Sequence, residues 1–158
     1  MKYKQIKTIA VLFSIISLAS CEYSKQEEGI FSMTAEAPPF VITKPVCETQ
    51  GRHGYYNYAG LVFKFMNTSN KIIDEVTVSF MLYDSITKES PFLGSNKFTI
   101  TKLDLLLPND NKEIFISLDQ YIYVAPQSPY LIDSFYISKI HFSDESIWED
   151  KYGLYKIE

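Results

Sequence analysis

The sequence predicts an all-β protein, an antiparallel β-sandwich of about seven to eight strands. Three observations carry this expectation. Aromatic residues make up 15% of the 158-residue chain, with 12 Tyr and 11 Phe. Many Ile, Val and Thr accompany them, the residue types that fit a pleated, half-buried surface. Strong helix formers are thinly spread: there are four Met, and Ala is nearly absent after Ala59. Beyond Phe40 the apolar residues recur in short period-2 runs, separated by turn signals at roughly the 8–12-residue spacing of a sandwich. The length suits one domain, and 46% hydrophobic residues suffice for one core.

The first forty residues are of another kind. Lys2, Lys4 and Lys7 form a positive opening, and IAVLFSIISL (9–18) follows as an apolar run of about ten residues, within the roughly 7–15 of a secretory signal. A spanning helix needs about 20. Residues 1–20 are therefore expected to be a cleaved signal peptide. Leu18-Ala19-Ser20-Cys21 resembles the lipobox of bacterial lipoproteins: Leu, two small residues and a cysteine. The resemblance implies a diacylglyceryl group on the Cys21 sulfur, cleavage just before it, and acylation of the new amino terminus. Each buried CH₂ contributes about 0.8 kcal/mol, so two or three chains hold where one is marginal. The alternative is an ordinary signal peptide cut nearby, with Cys21 a free thiol or paired with Cys47, the other of the two cysteines. If Cys21 is lipidated, Cys47 is expected to be a small buried strand residue. Residues 22–39 mix charge, Ser, Gly and a double Pro without a sustained period, and read as a flexible tether. The folded domain is expected over 40–158.

Its elements follow in order. Residues 40–46 form a first strand, and Pro45, which lacks a ladder donor, suits an edge. Gly51 and Gly54 mark a loop. Residues 58–67 form the next strand, with Leu61, Phe63 and Phe65 on one face and Val62, Lys64 and Met66 on the other. After a turn over 67–71, Val76, Val78, Phe80 and Leu82 alternate with Thr77, Ser79, Met81 and Tyr83, the clearest period-2 run and an expected central strand. A loop over 84–94 leads to a strand over 96–103. Leu107-Pro108-Asn109-Asp110 turns the chain, and Ile114, Ile116 and Leu118 share one face of the following strand. The last runs, 133–142 and 146–148, are expected to pair as a hairpin, with Trp148 filling the core or its rim.

Phe80-Met81-Leu82-Tyr83-Asp84 resembles the signature of the FxLYD domains of bacterial envelope proteins. Asn67 and Ser69 resemble the Asn-x-Ser turn before that strand, and Leu107-Pro108 with Phe115 the family's Leu-x-Pro-Gly turn and next strand. Asn109 stands where the family prefers Gly; Asn also tolerates φ > 0. The usual Gly after Tyr-Asp is missing from 85–88. The resemblance covers residues 62–115 and implies that the sandwich is immunoglobulin-like.

The formal charge of −4 conceals an acidic body, because residues beyond 20 hold nineteen acids against twelve bases. No basic cluster is present, and a phosphate-tracking surface for nucleic acid is not expected. His53 lies in a Gly-flanked loop and His141 on the outward side of a strand; neither is read as a general base with an orienting acid. Asp144, Glu145, Glu149 and Asp150 cluster at the last turn without the spacing of a calcium loop, and a solvated acidic turn is the plainer reading. Phosphate loops and Gly-x-Ser-x-Gly elbows are absent. Asn67-Thr68-Ser69 fits a glycosylation sequon but reads as a turn.

Two tyrosine groups are the candidate binding surfaces: Tyr55, Tyr56 and Tyr58, and Tyr121, Tyr123 and Tyr130. Exposed Tyr offers large, rigid contact area with a hydrogen-bonding tip, whereas the structural alternative is packing. Together these features describe a non-catalytic module for protein binding or assembly, without metal or cofactor beyond the lipid on Cys21. It would be anchored in the bacterial cell envelope, with Glu22 after the cysteine compatible with the outer membrane, facing an envelope or extracellular protein. The alternatives are a small hydrolase or glycan-processing enzyme using the acids at 144–150, which needs two carboxylates about 5–9.5 Å apart, and a purely structural lipoprotein.

Overall fold

The computed structural model of the chain describes residues 37 to 157, residue 93 apart. Cys21, the expected signal peptide and most of the expected tether lie outside the described residues. The elements are β1 (Phe40–Ile42), β2 (Val46–Glu48), β3 (Gly60–Asn67), β4 (Ile73–Tyr83), β5 (Lys97–Leu106), β6 (Asn111–Ser117), β7 (Leu131–Phe142) and β8 (Ile147–Glu149), with no helix among the described residues. They form a β-sandwich of two antiparallel sheets. In one, β3 has β6 along one side and both β1 and β2 along the other. In the other the order is β5-β4-β7-β8, which places β4 centrally and joins β7 to β8 as a hairpin, as the sequence predicts.

The alternation of β3 and β4 decides what lies between the sheets. Leu61, Phe63 and Phe65 of β3 and Val76, Val78, Phe80 and Leu82 of β4 are all buried. Phe63 meets Phe135 of β7 edge-on at 5.0 Å between ring centroids, and Phe80 lies 5.4 Å from Phe98 of β5. Trp148 is buried against Phe40, their rings perpendicular at 5.2 Å, so the aromatic of the last strand closes the core over the first. Cys47 is a buried free thiol, and its burial pushes its pKa up.

The expected single strand over 40–46 is divided. Ile42 faces Phe65 and Val46 faces Val62, so one more residue separates the two on this edge than on β3. That bulge holds Thr43, Lys44 and Pro45. Thr43 bridges it, its hydroxyl accepting from the N–H of Lys64 at 2.9 Å. Pro45 thus falls between two short strands, where no ladder donor is needed.

Asn67, at the end of β3, is wholly buried and fully bonded. Its side-chain amide donates to the carbonyls of Lys71 (2.8 Å), Leu106 (3.1 Å) and Leu107 (3.2 Å). Its side-chain oxygen accepts from the N–H and hydroxyl of Ser69 at 3.0 and 2.7 Å. Its backbone N–H donates to Asp110 and its carbonyl accepts from Asn109. One residue therefore ties the crossing from β3 to β4 to the crossing from β5 to β6. Asn109 takes a φ of 66° there, the left-handed conformation that Asn tolerates. At the other end of β4, Asp84 accepts from the N–H groups of Ile86 and Thr87 at 2.8 Å each, and Lys88, with φ 64°, completes that turn without glycine.

Replacing Asn67 by Ala removes one donor from each of the carbonyls of Lys71, Leu106 and Leu107 and leaves a cavity, and the expected loss is about 2–4 kcal/mol. Urea unfolding reads this as a lowered midpoint at unchanged slope. Asn67→Asp is expected to be destabilised at neutral pH and to recover partly on acidification, since a buried carboxyl facing carbonyls has a raised pKa in the folded state. Wild-type stability in the Ala variant would contradict the role assigned to Asn67.

Candidate functional site

One side of the sandwich is open. β5 and β6 are edge strands of their respective sheets, and three cavities lie in succession along β5. At its start a cavity of about 660 Å³ is lined by Pro91, Phe92, Lys97, Phe98, Tyr121 and Tyr123. In the middle one of about 330 Å³ lies among Ile100, Lys102, Tyr55, Phe115 and Gln120. At its end one of about 630 Å³ is framed by Asp104, Arg52, Lys112 and Glu113, and shares Lys102, Tyr55 and Phe115 with its neighbour.

The first cavity is built of rings. Phe98 points inward from β5 and meets Phe92 edge-on at 5.1 Å and Tyr121 at 4.8 Å. Phe92 also touches Tyr130 at 5.6 Å, which puts Tyr130, packed against the core, behind the groove rather than on its surface. Tyr121 is half-exposed on the wall, and Tyr123, 90% exposed, stands at the rim. Ser95, Lys97 and Thr99 supply the polar margin. Rigid rings with few rotatable bonds and a polar margin are the composition of protein-recognition sites.

The other tyrosine group is divided by the structure. Tyr55 lies over Phe115 at 4.0 Å between centroids, and the Arg52 guanidinium sits 4.7 Å from the centre of the Phe115 ring. Tyr56 turns the other way: it is buried, its hydroxyl donates to the Glu48 carboxylate, and burial followed by that carboxylate pushes its pKa up. Its ring lies so close to Gly60 that a Cβ there would come within 2.3 Å. Tyr56 therefore belongs to the packing and not to an exposed patch, while Tyr58 is half-exposed. Asp119 fixes this loop, accepting from the N–H groups of Asn57 (2.6 Å) and Tyr58 (2.9 Å). Burial opposes the charge on Asp119, but the N–H groups of Asn57, Tyr58 and Ala59 outweigh it and hold its carboxyl below the usual range.

Of the six tyrosines, Tyr55, Tyr121 and Tyr123 thus line neighbouring cavities on the open side. Of their ring partners, Phe115 enters the sequence reading only through the FxLYD resemblance, and nothing in the sequence marks Phe92 or Phe98 as part of a surface. The period-2 pattern of β5 places Phe98 inward, but Phe92 lies in a loop with no periodicity to reveal it.

The acids of the last turn do not act together. Asp144 pairs with Lys71 at 2.9 Å, and the Ser146 hydroxyl and the Lys71 ammonium hold its pKa down at about 2. Glu149 pairs with Lys151 and Glu145 is exposed. Asp150 departs from the expected solvated turn: it is buried and accepts from the N–H groups of Tyr152, Leu154 and Tyr155, capping the C-terminal loop. Among the described residues no group of three or more His, Cys, Asp or Glu is placed to hold a metal ion. His141 also departs from expectation. Asp74 orients its Nδ1 at 2.8 Å and Glu145 lies 3.5 Å from its Nε2, whereas His53 is exposed.

No protein-family model, no curated protein and no solved structure matches the chain.

The hydrogen bond to Asp74, aided by the charges of Asp74, Glu145 and Glu75, raises the pKa of His141 above its ordinary value. A raised folded-state pKa contributes stability that is complete below the unfolded value, about 6.5, and is lost as pH rises through the folded value. Urea midpoints of the wild type and His141→Gln are therefore expected to differ most near pH 5–6 and to converge in the alkaline range. Parallel pH profiles would contradict this.

Proposed function

We propose that this chain is a lipoprotein of the bacterial outer membrane, held by acyl chains on Cys21, and that its β-sandwich is a non-catalytic module for protein binding or envelope assembly. The observation that carries the binding reading is the groove of about 660 Å³ walled by Phe92, Phe98 and Tyr121, with Tyr123 at its rim. These rings are already packed against one another, so a partner's apolar side chain entering the groove finds a formed pocket and little side-chain entropy is lost. The anchoring reading rests on Lys2, Lys4 and Lys7, the apolar run and Leu18-Ala19-Ser20-Cys21. It leaves residues 22–39 as a leash of at most about 3.5 Å per residue before β1.

We read the sandwich as immunoglobulin-like and related to the FxLYD domains. What supports this is the partition of its strands: with the divided edge counted as one, the first, second and fifth share one sheet and the third, fourth, sixth and seventh the other. The signature positions also have structural tasks, with Phe80 and Leu82 in the core and Asp84 capping its turn.

Two measurements on the full chain in cells test the proposal. An alkyne-bearing fatty acid is expected to label the wild type and not Cys21→Ala; equal labelling of both overturns the anchor. A photo-cross-linking residue in place of Tyr123 is expected to capture a discrete envelope protein, and Tyr121→Ala to weaken that capture. The same yield from a cross-linker replacing Tyr152, exposed on the C-terminal loop, overturns the groove as the binding site.

A further inference from the structure

The far half of β5 has a different chemistry from the aromatic groove. The N–H of Leu82 donates to the carbonyl of Asn96 at 3.0 Å, and the same register continues from Met81↔Lys97 to Glu75↔Leu103. In an antiparallel ladder residues alternate in which edge their N–H and C=O face. The even-numbered residues of β5 therefore face β4, and Thr99, Thr101 and Leu103 turn their backbone groups to the open side. Their side chains lie on the outer face, where Thr101 and Thr99 bond to Thr77 and Ser79 of β4. Beyond them, Leu103, Leu105 and Leu107 are 71%, 59% and 47% exposed, an apolar ladder left in water at a strand edge.

Such an edge ordinarily invites indiscriminate pairing, and inward-pointing charges are one way proteins prevent it. Lys102 and Asp104 flank Leu103 on the inner face of the same strand, lining the cavity of about 630 Å³. A foreign apolar strand would cover both charges while offering a new partner to neither. A second copy of β5 would not. Laid antiparallel about a two-fold axis through Leu103, it sets Lys102 opposite the partner's Asp104 and Asp104 opposite the partner's Lys102. Leu103 then faces the partner's Leu103, and Leu105 faces the partner's Thr101. Sliding the axis to Thr101 would set Lys102 against the partner's Ile100 and Asp104 against the partner's Phe98. The charge pattern thus favours the register centred on Leu103 over the one centred on Thr101.

We propose that the chain forms a homodimer through antiparallel pairing of β5 with the β5 of a second copy, centred on Leu103. The four-stranded sheets of the two copies become one continuous sheet, Leu103 covers the partner's Leu103, Leu105 covers the partner's Thr101, and two Lys–Asp pairs fill the inner side. Most of the aromatic groove is built by Pro91, Phe92, Tyr121 and Tyr123, which lie outside β5, so the dimer does not depend on the binding reading.

Cysteine cross-linking of the full chain in cells tests this without regard to how the chain is attached. Residues at a two-fold axis in a hydrogen-bonded pair have Cα atoms about 5.5 Å apart, within disulfide reach. Leu103→Cys, oxidised briefly and run on a non-reducing gel, is expected to give a covalent dimer that the wild type lacks. Tyr152→Cys, equally exposed but on the C-terminal loop, is expected to give little. Adding Asp104→Lys to Leu103→Cys sets like charges opposite one another and is expected to abolish the dimer. Adding Lys102→Asp to that variant restores opposite charges and is expected to recover it. Absence of cross-linking at 103, equal cross-linking at 152, indifference to Asp104→Lys, or failure of the double exchange to restore the dimer each overturns the proposal.

Discussion

A sandwich is two sheets that must be told where to face each other, and here much of that instruction passes through one buried amide. Asn67 gathers the carbonyls of Lys71, Leu106 and Leu107 and the turn around Asp110 at one end of the molecule. Both chain crossings at that end belong to it. A buried polar group costs free energy unless every one of its hydrogen-bonding positions is used, and at Asn67 they are. That requirement makes it a specifier: an apolar residue of the same volume could fill the space, but it would take one donor from each of three carbonyls and leave either crossing free to shift. The aromatic contacts of Phe63, Phe80, Phe98 and Phe135 then fill an interior whose registration is already set.

The parts of the fold that were legible in the sequence are those where burial repeats with period two. From Leu61 to Phe65 of β3 and from Val76 to Leu82 of β4 the apolar residues at every second position are all buried, as the period predicts, although Val62 and Ser79 on the opposite faces are buried too. The reading fails at Thr43 to Pro45, because a bulge changes which residues face inward without changing the composition around it. The site was legible in part. Tyrosine marks surfaces and packing alike, and nothing local distinguishes Tyr55, which lies over Phe115, from Tyr56, which turns inward to Glu48. Those partners are remote in sequence. The same holds for Asp74, which orients His141 from across the sheet, and for Asp150, which reads as one of four clustered acids until the backbone donors around it are known.

The open side owes its character to how β5 changes along its length. Its first half contributes Phe98 to a ring cluster and its outer hydroxyls to β4. Its second half carries Leu103 and Leu105 with Asp104 between them and Lys102 before them. Neither half disturbs the other, since both are built on one strand that the central β4 holds in register from Glu75 to Met81. The Tyr55 loop, held by Asp119 and stacked on Phe115, stands beside the junction as a fixed wall.

The edges away from β5 have a consequence for the size of any assembly. β8, at the far side of its sheet, is three residues long, and the corresponding edge of the other sheet is split into β1 and β2 by a bulge that contains Pro45. Neither presents an unbroken row of donors and acceptors. A sheet with two long edges has a valence of two and can propagate into a fibre. This one has a valence of one, so growth along the hydrogen-bonding direction has nowhere to continue once β5 is occupied. Pairing through β5 would thereby end its own sheet, because the strand at the opposite side of that sheet is too short to take another copy.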